Sequence, residues 1–188
     1  SLIARVTSDS SAKNLTIRCI GQVSDMNAQS LNDVISRLNS MSGRSEVVQS
    51  YFSRRANIDF SHWYTPVSQS LYPSDNRDTL ILELVQKTQT FTVESAQLIM
   101  NLMSANSNAL RAMNILLPKV ANLTSTQLIQ LANSANSYSL KDSILEAGIG
   151  YVSNLTSAMI ISISDLASGS SARERILTLG LARLSGAS

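Results

Sequence analysis

Apolar residues recur through the second half of the chain in sets that repeat at an interval of 32 residues. The matching sets are Ala112/Ile144/Ile176, Met113/Leu145/Leu177, Leu117/Ile149/Leu181 and Val120/Val152/Leu184. Two sets of hydroxyl residues keep the same interval, namely Thr92/Thr124/Thr156 and Ser107/Ser139/Ser171. Such agreement in phase is typical of a helical repeat, in which each unit buries its apolar stripe against its neighbours.

The hydroxyl residues predict where the helices of each repeat begin, since Ser and Thr cap the free amides of a first turn. First helices are predicted at 92–103, 124–132 and 156–166, and second helices begin at the serines. Three segments have the form of capping boxes or near relatives: Thr124–Gln127, Ser139–Asp142 and Ser171–Glu174. Pro118 should end its helix, and Gly148, Gly150 and Gly180 should loosen the later ones.

The first half shows a weaker form of the same pattern. Residues 1–22 are either two short strands or an arm followed by a helix capped by Thr16, and the helix is favoured. Residues 23–57 are predicted to form a diverged helix pair, at 27–41 and 45–57, in which Gly43 ends the first helix and Ser45 caps the second.

Residues 58–74 interrupt the pattern with the single Trp and two of the three Pro of the chain. They are interpreted as an irregular connection, and the repeat domain is assigned to 75–188. If the connection is exposed, Trp63, Tyr64 and Tyr72 form an aromatic interaction surface. The predicted fold is therefore all-α: stacked antiparallel helix pairs, as a short α-solenoid or a compact helical bundle of nine to eleven helices.

Composition supports a folded core but little chemistry. Hydrophobic residues make up 44% of the chain, and the net charge of +2 is too small to attract nucleic acid by itself. Cys19 is interpreted as a small buried hydrophobe and His62 as a packed or surface imidazole, so neither catalysis nor a metal site nor a cofactor is expected. No apolar run reaches the length that crosses a bilayer. The lack of a signal-peptide pattern and the single cysteine leave the compartment open.

Residues 91–185 resemble the repeats of the transcription-activator-like effectors. The resemblance is carried by the opening Phe91–Glu94, the segment Ala109–Leu110, the ending Leu116–Val120 and the next helix Leu123–Asn133. It implies a helical array whose inter-helix loops contact DNA bases in the major groove. The matching loop residues here are Ser104, Ala105, Asn106, Asn133, Ser134, Ala135, Asn136, Ser168 and Gly169. These loops lack the Gly-Gly of that family and its accompanying cations, and short α-solenoid domains of unknown function have similar repeats.

Three hypotheses about function follow. The favoured one is a non-catalytic helical-repeat module that binds another macromolecule, most simply a protein or a second copy of itself. The alternatives are a DNA-binding repeat protein that uses the inter-helix loops, and a secreted, self-assembling structural protein. Two of the three glycosylation sequons, at Asn122 and Asn154, occupy equivalent repeat positions, where a structural cause suffices.

Overall fold

The computed structural model describes residues 9–23 and 26–186, and over these residues it confirms the all-α class. It contains eleven α-helices, a short 3-10 helix at Leu117–Lys119, and no strand among the described residues. The helices are α1 (Asp9–Gly21), α2 (Ala28–Ile35), α3 (Met41–Ser53), α4 (Phe60–Ser70), α5 (Asp75–Lys87), α6 (Val93–Leu102), α7 (Asn106–Leu116), α8 (Ser125–Asn133), α9 (Tyr138–Ile149), α10 (Ser157–Ser164) and α11 (Ser170–Leu184). Contacts divide the chain into two compact units, Ser1–Gln89 and Thr90–Ser188, so α5 belongs to the first unit rather than to the predicted repeat domain.

The first unit packs α1 on α3, α2 on α4, and α3 and α4 on α5. The apolar faces predicted for the segments that form α3 and α5 are buried. They comprise Val47, Val48, Tyr51, Phe52, Leu80, Ile81, Leu84 and Val85. Trp63 lies at the centre of this core, where its indole N–H donates to the Thr88 hydroxyl at 3.0 Å. Burial of the ring is therefore achieved without an unpaired donor.

The first two segments differ from the prediction. Helix α1 begins at Asp9, so Thr16 is not a cap but a fully buried mid-helix residue whose hydroxyl has no hydrogen-bond partner. The predicted helix 27–41 is too long, because α2 ends at Ile35 and α3 begins only at Met41. Ser40 caps α3 by accepting from the amide of Gly43 at 3.0 Å, which places Gly43 in a first turn and Ser45 inside the helix. Residues 1–8, where the first strand of the alternative was placed, lie outside the described residues.

The expected irregular connection at 58–74 is wrong, because most of it forms α4. Trp63, Val67 and Ser70 recur at helical spacing and are buried, and Pro66 is accommodated inside the helix. Phe60 packs against Trp63 edge-on, with ring centroids 5.3 Å apart. The tertiary packing of these rings outweighs the helix-breaking tendency of the proline.

In the second unit, each of the first helices contacts the helix that follows it, as α6 with α7, α8 with α9 and α10 with α11. Helix α8 also contacts α6 and α10, and α9 also contacts α7 and α11. An isolated parallel bridge joins Phe91 to Val120 near the start of the unit. Helix α7 ends at Leu116 before a 3-10 turn that contains Pro118, as expected.

The predicted caps of the first helices are confirmed, and those of the second helices are wrong. Thr92, Thr124 and Thr156 are N-caps, and each hydroxyl accepts from the amide three residues later at 3.2, 3.2 and 3.3 Å. Thr124 and Gln127 complete a reciprocal capping box. The second helices begin one residue before the predicted serines, and their N-caps, two residues before those serines, are Ala105, Ser137 and Gly169. The two further capping boxes are therefore absent.

The later glycines do not all loosen their helices. A Cβ at Gly148 would lie 2.2 Å from Leu128 Cδ1, and one at Gly180 would lie 2.8 Å from two Ile160 atoms. These two glycines let α9 and α11 approach α8 and α10 closely, whereas a Cβ at Gly150 would make only an ordinary contact, 3.9 Å from the Ala147 carbonyl oxygen.

Asn122 and Asn154 adopt left-handed backbone conformations, with φ of 53° and 52°. Each stands two residues before a threonine cap, in the turn that leads into a first helix. Among residues with a side chain, asparagine is one of the few that tolerate this conformation. The turn therefore provides a structural reason for both sequons.

Candidate functional site

The loops between the paired helices of the second unit contain all nine predicted interaction residues. Asn106 begins α7, Asn133 ends α8 and Ser134 is its C-cap. Ala135 and Asn136 follow in the same loop, as do Ser104 and Ala105 before α7 and Ser168 and Gly169 before α11. The structure therefore places every one of them at an end of a helix or in a connecting loop.

Two sets of hydrogen bonds link these loops to their neighbours. The Asn106 side-chain amide donates to the Ser137 hydroxyl at 3.1 Å, which joins the first loop to the second. Asp142, on the second turn of α9, accepts from the backbone amide of Ser168 at 2.9 Å and also from the Ser168 hydroxyl. The first two loops are therefore neighbours, and the third is held to the second turn of α9; we call the surface formed by the three loops the loop face.

The buried carboxylate of Asp142 orders the loop face. Its two oxygens accept from a backbone donor and a side-chain donor of the same residue, so the loop before α11 is held at two points. A buried carboxylate is costly unless it accepts such bonds. The local spacing predicts that Asp142 belongs to a capping box, and it gives no sign of the actual partner, Ser168, 26 residues later.

Tyr138 is the most prominent side chain of the loop face, and sequence analysis missed it. It is the first residue of α9 and is 78% exposed. Beside it lies a shallow cavity of about 390 Å³, lined also by Asn133, Asn136 and Lys141. An aromatic ring next to a loop of Ser and Asn was visible in the sequence. Its exposure was not, because exposure depends on how α9 packs.

The loop face carries little unbalanced charge. Arg173 pairs with Asp165 at 2.5 Å, and Arg175 forms a two-pronged pair with Glu146 at 2.7 and 3.0 Å. The hydrogen bond to Glu146 raises the pKa of Arg175 above its usual value. These guanidinium groups are therefore engaged by carboxylates of their own unit, which leaves Lys141 as the cation beside the cavity at Tyr138.

The predicted aromatic surface is not formed as a group. Trp63 is fully buried and Tyr64 is half-buried, while Tyr72 is 72% exposed. The expectation that Trp63 belongs to a surface is therefore wrong, because its ring fills the core of the first unit. Tyr72 alone remains available to a partner there.

The first unit also has a groove between α3 and α5. Two cavities of about 320 and 260 Å³ share the lining residues Ser42, Ser45 and Asn76. Glu46 and Glu83 border the larger one, and each is paired with a lysine: Lys13 at 2.5 Å and Lys87 at 2.9 Å. Both carboxylates are therefore engaged in ion pairs within their own unit, which suits a structural role.

The residues with catalytic potential, Cys19 and His62, belong to the first unit. Cys19 is exposed on α1, and the expectation that it is a buried hydrophobe is wrong, because the buried stripe of α1 runs through Ala12, Thr16 and Ile20 instead. His62 is half-buried, and its Nε2–H donates to the carbonyl of Met26 at 2.5 Å. Within the described part of the chain, no group of three or more His, Cys, Asp or Glu residues could hold a metal ion. None of the described helices is long and apolar enough to span a membrane.

Comparison with known proteins identifies no relative of this chain. No protein-family model, no curated protein and no solved structure matches the chain. The function is therefore inferred from the surfaces of the two units, and above all from the loop face.

Proposed function

We propose that this protein is a non-catalytic interaction module, and that its second unit is a short α-solenoid of 32-residue helix pairs. Two sets of N-caps support the proposed repeat, since both are spaced by 32 residues: Thr92/Thr124/Thr156 and Ala105/Ser137/Gly169. Contacts of α8 with α6 and α10, and of α9 with α7 and α11, support the stacking of successive pairs. Stacking of this kind presents the inter-helix loops in a row.

We further propose that the partner is a protein and that it binds at the loop face. The observation that carries this proposal is the exposed ring of Tyr138 beside the cavity formed with Asn133 and Asn136. Tyrosine is enriched among the residues that dominate binding energy, because it offers a large contact area with few rotatable bonds. Exposed amides around it supply adaptable hydrogen bonds.

The hydrogen bonds between the loops strengthen the case for a binding surface. Ser137 is held by Asn106, and Ser168 is held by Asp142. A surface that is ordered before its partner arrives loses less conformational entropy on binding. The loop face thus combines a rigid base with an exposed aromatic side chain, which is the arrangement expected of a protein-binding surface.

The charges favour a protein over DNA. Binding to duplex DNA draws most of its non-specific affinity from cations that neutralise phosphates. Arg173 and Arg175 are engaged by Asp165 and Glu146 of the same unit. A DNA strand would have to displace both carboxylates, whereas a protein surface requires no such exchange.

The proposal is tested by affinity capture from an extract of the organism that makes the protein. The bait is the wild-type chain, the Tyr138→Ala variant, or a matched control, Tyr72→Ala, whose exposed fraction is similar. We expect a protein that is retained by the wild-type bait and by the Tyr72→Ala control but is not retained by the Tyr138→Ala bait. With the purified partner, loss of a dominant aromatic contact should weaken binding by about 2 kcal/mol, roughly 30-fold.

The DNA alternative is tested in parallel by fluorescence anisotropy of labelled random-sequence duplex at low and at physiological salt. We expect no binding of the micromolar, steeply salt-dependent kind. Two results together would contradict the proposed protein partner. They are DNA binding of this kind that Lys141→Ala reduces, and capture of proteins that Tyr138→Ala leaves unchanged.

A further inference from the structure

The groove between α3 and α5 is lined by one stripe of side chains from each helix. On both helices the lining residues follow the i, i+3, i+4, i+7 spacing of a single helical face. The stripes are Ser42, Ser45, Glu46 and Gln49 on α3, and Asn76, Thr79, Leu80 and Glu83 on α5. Because both stripes border one cavity, their polar groups converge on the same space.

Several of these polar groups are not used by the protein itself. Within the part of the chain that the structure describes, the following lining side chains form no hydrogen bond with another residue: Ser42, Ser45, Gln49 and Asn76. A hydroxyl group donates and accepts, and a carboxamide offers two donors and an acceptor. A ligand whose own groups both donate and accept would satisfy all of them, and hydroxyl groups have this property.

The charged residues of the lining are engaged within the first unit. Glu46 pairs with Lys13 and Glu83 pairs with Lys87, in each case through one carboxylate oxygen. Arg77 is 6% exposed, and its guanidinium donates to a backbone carbonyl. An ionic ligand would therefore have to displace these partners. A neutral hydroxyl group would not, because the second oxygen of each glutamate is still able to accept from it.

An exposed aromatic ring adjoins the same groove. Tyr72 lines the smaller cavity and is 72% exposed. The two cavities share Ser42, Ser45 and Asn76, so the ring and the unused polar groups border one continuous space. The face of an aromatic ring carries a partial negative charge, which attracts the weakly positive C–H groups of a sugar ring.

We propose that this groove binds a neutral oligosaccharide. Tyr72 stacks against one sugar ring, and the side chains of Ser45 and Asn76 bond to hydroxyl groups along the groove. The stripe from Ser42 to Gln49 spans about 10 Å, from a rise of about 1.5 Å per residue. The cavities of about 320 and 260 Å³ lie near the lower end of the range for small-molecule sites, about 300–1,000 Å³. These dimensions suit a short oligosaccharide, and the site does not depend on the loop face.

An array of immobilised neutral oligosaccharides, built from hexose and N-acetylhexosamine units, tests the proposal. The array also carries acidic oligosaccharides and peptides, and the full chain is applied with a fluorescent label. We expect retention on at least one neutral oligosaccharide, and release when the same sugar is added in free form. Retention on no neutral oligosaccharide, or on acidic sugars or peptides alone, overturns the proposal.

Two variants assign the binding to the groove. Tyr72→Ala and Asn76→Ala each remove an exposed side chain, so both proteins should fold, as circular dichroism will check. Each should bind the retained oligosaccharide about tenfold more weakly than the wild type. The matched control is Tyr138→Ala, which removes a tyrosine of the second unit that is 78% exposed. If the control is weakened as much as the other two, the binding does not occur at this groove.

Nuclear magnetic resonance gives a second measurement, on the unchanged protein. Two-dimensional ¹H–¹⁵N spectra are recorded while the retained oligosaccharide is added in free form. The amide signals that shift should belong to residues 41–49 and 71–83. Shifts centred on the inter-helix loops of the second unit would contradict the proposed site. Failure of protein capture at Tyr138 would leave this site unaffected, since the two surfaces belong to different units.

Discussion

Replacing Gly148 by alanine should destabilise the second unit, although alanine is the better helix former. The new Cβ would lie 2.2 Å from Leu128 Cδ1, against the 3.4 Å at which ordinary contact begins. Leu128 is fully buried, so it cannot move without displacing its neighbours. Overpacking costs about 1–3 kcal/mol, and the short distance to Leu128 favours the upper part of that range. Alanine recovers about 1 kcal/mol of this cost through its higher helix propensity. The expected net loss is about 1–2 kcal/mol.

Gly150→Ala is the matched control, two residues away at the C-terminal end of the same helix. Its φ of −62° suits any residue, and the nearest atom to a new Cβ is 3.9 Å away. This variant should gain about 0.4–1 kcal/mol, because alanine restricts the unfolded chain.

Thermal and urea unfolding followed by far-UV circular dichroism measure both changes. In a unit of about 100 residues, 1 kcal/mol shifts Tm by about 4–8 °C, so Gly148→Ala should lower it by about 4–16 °C. Trp63, the single tryptophan, reports by fluorescence on the first unit and separates its unfolding from that of the second. A Gly148→Ala protein at least as stable as the wild type would refute the close approach of α8 and α9.

Three other predictions concern the helix starts of the second unit. Thr124→Ala should lose about 1 kcal/mol in urea unfolding, while Thr124→Ser keeps most of the stability; equal losses would contradict the hydroxyl cap. Asn154→Val should lose about 1–2 kcal/mol at its positive φ, and Asn154→Gly should not; a stable valine variant would argue against the left-handed turn. Hydrogen bonds from its backbone amide and from Thr92 lower the pKa of Glu94 below its usual 4.5. The ionised Glu94 therefore stabilises the folded protein above pH 4.5, and this contribution is lost as the pH falls through the lowered pKa. Glu94→Gln should destabilise at pH 7 and match the wild type in strong acid, and a difference that persists in acid would exclude the carboxylate as its cause.

The position of the loop face could be predicted, but its content could not. The spacing of the threonine caps locates each first helix, and the loops follow about ten residues later. Whether Ser137 or Ser139 caps α9 is not decided by local preference, since both are serines. In the folded unit Ser137 is the cap, and α9 begins with Tyr138 on the surface and Leu140 buried.

The first half shows why local signals mislead where side chains are large. Aromatic and proline residues around Trp63 have weak helix propensity, which favoured an irregular connection. In the folded unit Trp63 buries its ring and bonds to Thr88, and this tertiary gain exceeds the local cost. Helix α2 likewise ends at Ile35, and α3 begins only after Ser40. The hydroxyl cap of Ser40 and the bond from Arg44 to the carbonyl of Leu38 stabilise this break in the run that periodicity alone would have continued.

By itself, the sequence determined the helical class, the first-helix caps at Thr92, Thr124 and Thr156, and the residues that line the inter-helix loops. These depend on hydrogen bonds and apolar spacing within a few residues, so each can be recognised locally. Only the tertiary structure decided that Trp63 is core, that Asp142 holds Ser168, and that Tyr138 is exposed. Burial and long-range hydrogen bonds depend on which helices meet, and the free energy of that packing is shared by residues far apart in the chain.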